Sequence, residues 1–191
     1  MSRFTPTAQQ YKQVLSDVSG DLRTTIIIRL LSETGMAREE IVNIKRSDIN
    51  RFHPHGLWVE KAKKIKKGNK KIYEMRSREV PINSSLYTLL NAYLNTHTSP
   101  FIIDRLRQTD KPKAMTPRAI NTLFASHEVE WSPHDCRHFF RSQVRKWMIK
   151  ERRIDMQVVK EIMGHVLDVS EKYGGDSDFD YKIEIVDNVF S

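Results

Sequence analysis

One segment near the start of the chain constrains the fold more than any other. Residues 22–33 follow helical spacing and place large aliphatic side chains around most of the helix circumference: Ile26, Ile27, Ile28, Leu30 and Leu31. A helix that is apolar on most sides must be covered by other elements on most sides. The chain therefore needs a substantial core, which 191 residues with 39% hydrophobic content can supply.

Three Thr-Pro or Ser-Pro pairs mark the expected starts of other helices. A Thr or Ser N-cap followed by proline in the first turn is a common way to begin a helix. The pairs are Thr5-Pro6, Thr116-Pro117 and Ser132-Pro133, and they predict helices that end near Val18, Ser126 and Ile149.

Apolar spacing predicts the remaining helices. They are expected over residues 38–44, 86–94 and 155–163, and residues 101–103 are expected as a short strand or a buried loop. Gly35 is expected to end the helix over residues 22–33.

A basic hairpin interrupts this helical pattern. Residues 57–59 and 80–82 are apolar ends around the turn signal Gly68-Asn69, and residues 61–71 hold seven lysines and no acidic residue. This pattern predicts a long β-hairpin with its base on the core. The predicted fold class is mainly α with one small antiparallel β-sheet.

Charge and cysteine content narrow the function classes. The formal net charge of +8 favours an anionic partner, nucleic acid first and an acidic membrane surface second. The single cysteine, Cys136, excludes an intramolecular disulfide and a cysteine-based zinc cluster. No apolar run approaches membrane-spanning length, so we expect a cytoplasmic protein with no membrane partner.

The sharpest chemical motif is the pair His134 and Arg137 at the start of a predicted helix. Residues three apart share a helix face, and backbone N–H groups at a helix N-terminus favour an anion. A guanidinium donates two parallel hydrogen bonds to a phosphate. Alone, the pair is better explained by an ordinary capping histidine and a surface arginine.

The wider order of motifs resembles the tyrosine recombinase family, which includes phage integrases and XerCD-like enzymes. After His134 and Arg137 come one helix, Gly164-His165 and then Tyr173. Upstream, the segment from Glu33 to Ile49 resembles the family's first-arginine segment, and the basic hairpin ending in residues 78–82 resembles its lysine hairpin. Together these blocks cover about residues 5–175.

The resemblance implies a catalytic domain over residues 1–175, a C-terminal tail over residues 176–191, and a reaction. Tyr173 attacks a DNA phosphodiester, forms a 3′-phosphotyrosine link and releases a 5′-hydroxyl. Arg137, His134 and His165 serve the phosphate. The reaction needs no nucleotide cofactor, and no metal is implied.

Two assignments within the resemblance have rivals. Two lysines are candidates for protonating the leaving oxygen. Counting residues from the start of the first strand at Leu57 selects Lys63, whereas counting from the turn at Gly68-Asn69 selects Lys67. We prefer Lys63. Tyr173 follows His165 by eight residues, where the family usually has nine. Tyr181 is the alternative nucleophile, but it would require eight additional residues to be looped out. Lysines near the hairpin tip are expected either to bind DNA phosphates or to form a solvated charged surface: Lys64, Lys66, Lys67 and Lys70.

One position departs from the family pattern. The first catalytic arginine normally stands two residues after the glycine and three before a glutamate, and here that position is Ala37, between Gly35 and Glu40. Arg38 is adjacent but is expected to point elsewhere, because one helical residue turns about 100°. We favour replacement of an original arginine over a natural variant, and in either case we expect low activity.

The resemblance also implies partners. The expected partner is double-stranded DNA at specific sites, bound by a homotetramer that passes through a Holliday junction, with a monomer or weak oligomer away from DNA. The apolar tail is expected to pack either on a neighbouring subunit or on its own core. The rival functions are a DNA-binding module without chemistry and a type IB topoisomerase. Family members usually carry an additional N-terminal DNA-clamping domain of about 100 residues.

Overall fold

The structure, a computed structural model, describes residues 4–67, 70–105, 113–165 and 177–190. Residues 61–67 and 70–76 are described by their backbone. The elements, in chain order, are α1 (Ala8–Asp17), α2 (Leu22–Thr34), α3 (Arg38–Ile41), a 3-10 turn (Arg46–Asp48), β1 (Gly56–Lys67), β2 (Lys70–Pro81), α4 (Ser84–Leu94), α5 (Pro117–Ser126), α6 (Pro133–Lys150), α7 (Met156–Ile162) and α8 (Phe179–Phe190). The fold is mainly helical with one two-stranded antiparallel sheet, as the sequence predicts.

Helix α2 lies at the centre of the molecule. Its residues Ile26, Ile27, Ile28, Leu30 and Leu31 have no solvent exposure. The helix contacts α3, α4, α6 and α8, so several other elements cover it. Truncating one of these side chains to alanine in such a core costs about 2–5 kcal/mol.

Side-chain caps begin most of the predicted helices. Thr116 and Ser132 accept hydrogen bonds from backbone N–H groups in the first turns of α5 and α6, at the predicted starts. The predicted start of α1 is wrong. Its N-cap is Thr7, not Thr5, because Thr7 and Gln10 form a reciprocal capping box that satisfies two backbone N–H groups.

The β1–β2 ladder confirms the predicted hairpin. Its register runs from Gly56 paired with Pro81 to Lys67 paired with Lys70. At the base, Leu57, Val59 and Val80 are buried in the core. Helix α3 packs on β1 and α7 packs on β2, so the hairpin base is held between the segments that carry Ala37 and His165.

Residues 101–103, expected as a short strand or a buried loop, show features of both. Phe101 forms a single bridge with Lys45, and Ile102 and Ile103 are fully buried.

The tail forms a helix, α8, that packs on its own chain. Phe179, Ile185 and Val186 are buried, and Phe190 stacks on Phe140 with 5.7 Å between ring centroids. Asp187 accepts hydrogen bonds from the backbone and side chain of Ser84. Packing of the tail on a neighbouring subunit stays a prediction. In the described part of the chain, no helix is both long and apolar enough to cross a membrane.

Candidate nucleic-acid active site

The start of α6 presents His134 and Arg137 together. Ser132 and Asp135 form a capping box there, and Pro133 occupies the first turn. His134 is exposed on the first turn and Arg137 is partly buried one turn later. The residues around Ser132 therefore determine where α6 begins, and they place His134 and Arg137 on one face at its N-terminal end.

Arg137 is held by backbone carbonyls from two other segments. Its Nη1 donates to the carbonyl of Gly35, and its Nη2 donates to the carbonyl of Met163 at 3.1 Å. Its Nη2 also lies 3.3 Å from Nε2 of His165. The guanidinium thus connects the end of α2 to the end of α7, and it brings Arg137 and His165 into contact.

Two glycines make this arrangement possible. Gly35 and Gly164 both have a φ of +65°, a conformation that favours glycine. At Gly35 a Cβ atom would lie 2.7 Å from the Phe140 ring, and at Gly164 it would lie 2.6 Å from Nη1 of Arg78. Both positions therefore require glycine for backbone conformation and for space.

Glu40 and Arg78 form an ion pair that sequence reasoning did not place in the site. Arg78 Nη1 lies 2.7 Å from Oε1 of Glu40, and Arg78 Nε donates to the carbonyl of Ile162 at 2.9 Å. Glu40 also accepts from the backbone N–H of Ala37 at 2.6 Å and lies 3.6 Å from Arg137. The signal was present in the sequence, because each residue stands inside a recognised block. Only their 3% and 17% side-chain exposures identify them as a buried pair.

Partial burial and nearby positive charges lower the pKa of His165. Partial desolvation is the largest cause, followed by the positive charges of Arg137, Arg141 and Arg78. Desolvation also lowers the pKa of Arg137, with Arg78 adding to the effect and Glu40 opposing it. The lowered pKa favours the neutral imidazole of His165, the form that can accept a proton.

Ala37 lies in a cleft with His134 and Arg137. This α3/α6 cleft has a volume of about 580 Å³, and its lining includes Ala37, Arg38, Asn121, Phe124, His134 and Arg137. Position 37, where the family pattern has an arginine, therefore lines the same cleft as His134 and Arg137 of α6.

The helical rotation expected between Ala37 and Arg38 is wrong. Ala37 is the N-cap of α3, with φ −83° and ψ 154°, so the step from Ala37 to Arg38 is not a helical rotation. Arg38 lines the α3/α6 cleft.

The predicted lysines and the predicted nucleophile are described only in part. Lys63 pairs with Glu74 and Lys67 with Lys70, and Lys64 and Lys66 lie between them on β1. Tyr173 lies outside the described residues.

The rival nucleophile, Tyr181, lies on α8 and packs against the cluster that contains Val144 and Ile162. Burial, Asp155 and Glu184 raise the pKa of its phenol, while Arg153 opposes them.

Comparison with known families and proteins agrees with these features. Residues 6–170 match the model of the phage integrase family. The chain is 28% identical over 166 residues to tyrosine recombinase XerA of Pyrococcus furiosus, a match covering 83% of this chain and 52% of that protein. It is 30% identical over 173 residues to tyrosine recombinase XerC of Staphylococcus aureus, covering 85% and 52%. The chain therefore spans about half the length of these relatives.

The fold is also similar to solved structures. One is a lambda integrase tetramer bound to a Holliday junction, with a TM-score of 0.59 and 17% identity over 88% of this chain and 48% of that one. At this identity the likeness concerns the fold alone.

Proposed function

Because this chain belongs to the phage integrase family, we propose that it is a site-specific recombinase that cuts and rejoins DNA through a 3′-phosphotyrosine intermediate. One observation carries the proposal. Arg137 is fixed by the carbonyls of Gly35 and Met163, with His165 at 3.3 Å and His134 on the same helix face. Such a preorganised cation stabilises the charge that develops on a phosphate under attack.

Arg137 retains capacity to bind a phosphate. A guanidinium has five N–H donors, more than its contacts with Gly35, Met163 and His165 use. Because its orientation is already set by carbonyls, little rotational freedom is lost when a phosphate binds. We assign Arg137 to the non-bridging oxygens, and His134 and His165 to hydrogen bonding or proton transfer at the same phosphate.

Tyr173 is the proposed nucleophile. The described residues on either side of its segment, His165 and Ser177, both hydrogen-bond residues of α7. Tyr173 follows His165 by eight residues and precedes Ser177 by four. Tyr181 is partly buried on α8, where it packs against the cluster that contains Val144 and Ile162, and this packing argues against the alternative.

Lys63 is the proposed general acid for the leaving 5′-oxygen. Val59 pairs with Arg78, whose guanidinium contacts Glu40. At about 3.3 Å per residue, position 63 lies roughly 13 Å along β1 from Val59, whereas position 67 lies roughly 26 Å away. The remaining tip lysines, Lys64, Lys66, Lys67 and Lys70, are proposed to bind DNA phosphates, with the tetramer forming on DNA.

A substrate with a better leaving group tests the lysine assignment. Replacing the bridging 5′-oxygen by sulfur removes the need for a general acid, because a thiolate leaves without protonation. We expect Lys63→Ala to slow cleavage of the oxygen substrate and to approach the unmodified rate on the sulfur substrate. The same rescue in Lys67→Ala, and not in Lys63→Ala, would move the role to Lys67.

Covalent trapping tests the proposed function itself. The probe is a pool of duplexes of randomised sequence, each nicked so that cleavage releases a short fragment and rejoining is blocked. We expect detergent-resistant protein–DNA adducts from the unmodified chain, none from Tyr173→Phe and retention in Tyr181→Phe. DNA binding without any adduct, even in Ala37→Arg, would identify a DNA-binding module without chemistry. Adducts in Tyr173→Phe and none in Tyr181→Phe would identify Tyr181, not Tyr173, as the nucleophile.

A topological assay separates strand exchange from relaxation. The selected site is placed twice on one plasmid, and recombinant products are compared with relaxed topoisomers. A recombinase yields exchanged products, whereas relaxation alone would favour topoisomerase activity.

A further inference from the structure

Arg38 is a second arginine that lines the α3/α6 cleft, and it has no role in the mechanism proposed above. Its side chain is 39% exposed and lines the cleft together with His134 and Arg137. Its Nη1 donates to Oδ1 of Asn121 on α5 at 2.8 Å, and its Nε donates to Oε1 of Glu39 at 2.8 Å. These two contacts hold the guanidinium between α3 and α5, at the wall of the cleft.

We propose that Arg38 is a phosphate-binding residue of this site and supplies the positive charge that position 37 lacks. The proposal rests on the proposed function, since the phosphate is the one that Tyr173 would attack. The alanine side chain at position 37 occupies little of the cleft. The next residue along the chain, Arg38, contributes its side chain to the lining of the same cleft.

The charge balance of the cleft supports this role. Arg38 uses two of its five N–H donors on Asn121 and Glu39, so others are available to an anion. Glu39 also lines the cleft, and its carboxylate competes with a phosphate for Arg38. A dianionic or transition-state phosphate carries more charge than a carboxylate, so Arg38 gains most when charge accumulates during the reaction.

Cleavage rates on a duplex selected from the nicked pool provide the first test. We expect Arg38→Ala to lower the adduct rate by about tenfold or more. The matched control is Arg118→Ala, which removes one exposed positive charge from α5 at a residue outside the cleft lining. An Arg38→Ala rate no lower than that of Arg118→Ala overturns the proposal.

Combination with Ala37→Arg separates a chemical role from a structural one. If Arg38 replaces a missing cation, Arg38→Ala will lose most of its effect once position 37 is arginine. If Arg38 merely ties α3 to α5 through Asn121, the defect will persist in that background, and the proposal is wrong.

Inorganic phosphate provides a test that does not depend on catalysis. Arginine Nε–Hε signals are followed by NMR as phosphate is added to the full chain. We expect the Arg38 and Arg137 signals to shift together and saturate, and Arg38→Ala to weaken phosphate binding by about threefold or more. A shift of Arg137 alone, or a smaller loss of affinity, overturns the proposal. This arm remains decisive if the unmodified chain forms no adduct, an outcome that would count against the proposed function only.

Discussion

The carboxylate of Glu40 and the guanidinium of Arg78 form a bidentate pair across α3 and β2. Nη1 to Oε1 is 2.7 Å and Nη2 to Oε2 is 3.2 Å. Glu40 also lies 3.6 Å from Arg137, so one buried carboxylate balances two guanidinium groups. Arg78 at the hairpin base and Arg137 on α6 therefore share one carboxylate, that of Glu40 on α3.

Glu40→Gln is expected to destabilise the fold. The amide keeps the shape of the side chain but leaves Arg78 and Arg137 without their carboxylate, which costs about 3 kcal/mol of unfolding free energy. Urea unfolding measures the loss. Glu39→Gln is the matched control, because Glu39 is 47% exposed and its surface pair with Arg38 contributes less than about 1 kcal/mol. Equal losses in the two variants would contradict the central role of Glu40.

Gly164→Ala is expected to disturb the site through Arg78. The added Cβ would lie 2.6 Å from Arg78 Nη1, at a backbone φ of +65° that alanine rarely adopts. We expect a loss of more than about 1 kcal/mol of unfolding free energy and a lower adduct rate. Gly20→Ala provides the comparison, because a Cβ added at Gly20 would meet no atom within 4 Å. Similar behaviour of the two variants would refute this account.

The depressed pKa of His165 makes a pH-dependent contribution to stability. Below the ordinary value of 6.5, the unfolded chain binds a proton at this residue before the folded chain does. Stability from neutral His165 is therefore complete above about pH 6.5 and is lost as pH falls through that value toward the lower folded pKa. The measurement is the difference in unfolding free energy between the unmodified chain and His165→Gln. That difference should shift against the unmodified chain on acidification, and a pH-independent difference would be inconsistent with the depressed pKa.

Ala37→Arg is expected to raise the adduct rate on the order of a hundredfold. A guanidinium at this position adds a preorganised cation to the cleft that already contains Arg137. The rate is measured on the selected nicked duplex. Ala125→Arg adds the same charge to the cleft from α5 and should give a far smaller rise. Equal rises would mean that charge alone, and not position 37, limits the reaction.

Much of the architecture follows from short-range sequence signals. The caps at Thr116 and Ser132 act on N–H groups three residues away, so the starts of α5 and α6 are visible in the sequence. The apolar pattern of α2 and the apolar ends of the hairpin are equally local. The wrongly predicted start of α1 also depends on neighbouring residues. Thr5 and Thr7 both qualify as N-caps, and only the reciprocal contact of Thr7 with Gln10 distinguishes them.

The candidate site depends on contacts between residues far apart in the chain. Arg78 meets Glu40 across 38 positions, and Arg137 meets the Gly35 carbonyl across 102. Family resemblance placed His134, Arg137 and His165 in one site, but it assigned no partner to Glu40 or Arg78. The helical rotation assumed between Ala37 and Arg38 was wrong because Ala37 is the N-cap of α3 and its backbone is extended.

By itself, then, the sequence determined the helical core around α2, the basic hairpin and the order of the motif blocks. Each of these depends on the periodicity or capping chemistry of neighbouring residues. Only the tertiary structure decided that Glu40 balances two arginines, that Arg38 faces the cleft and that α8 packs on its own core. Charge pairing and burial depend on which distant segments meet, and that is a property of the folded chain as a whole.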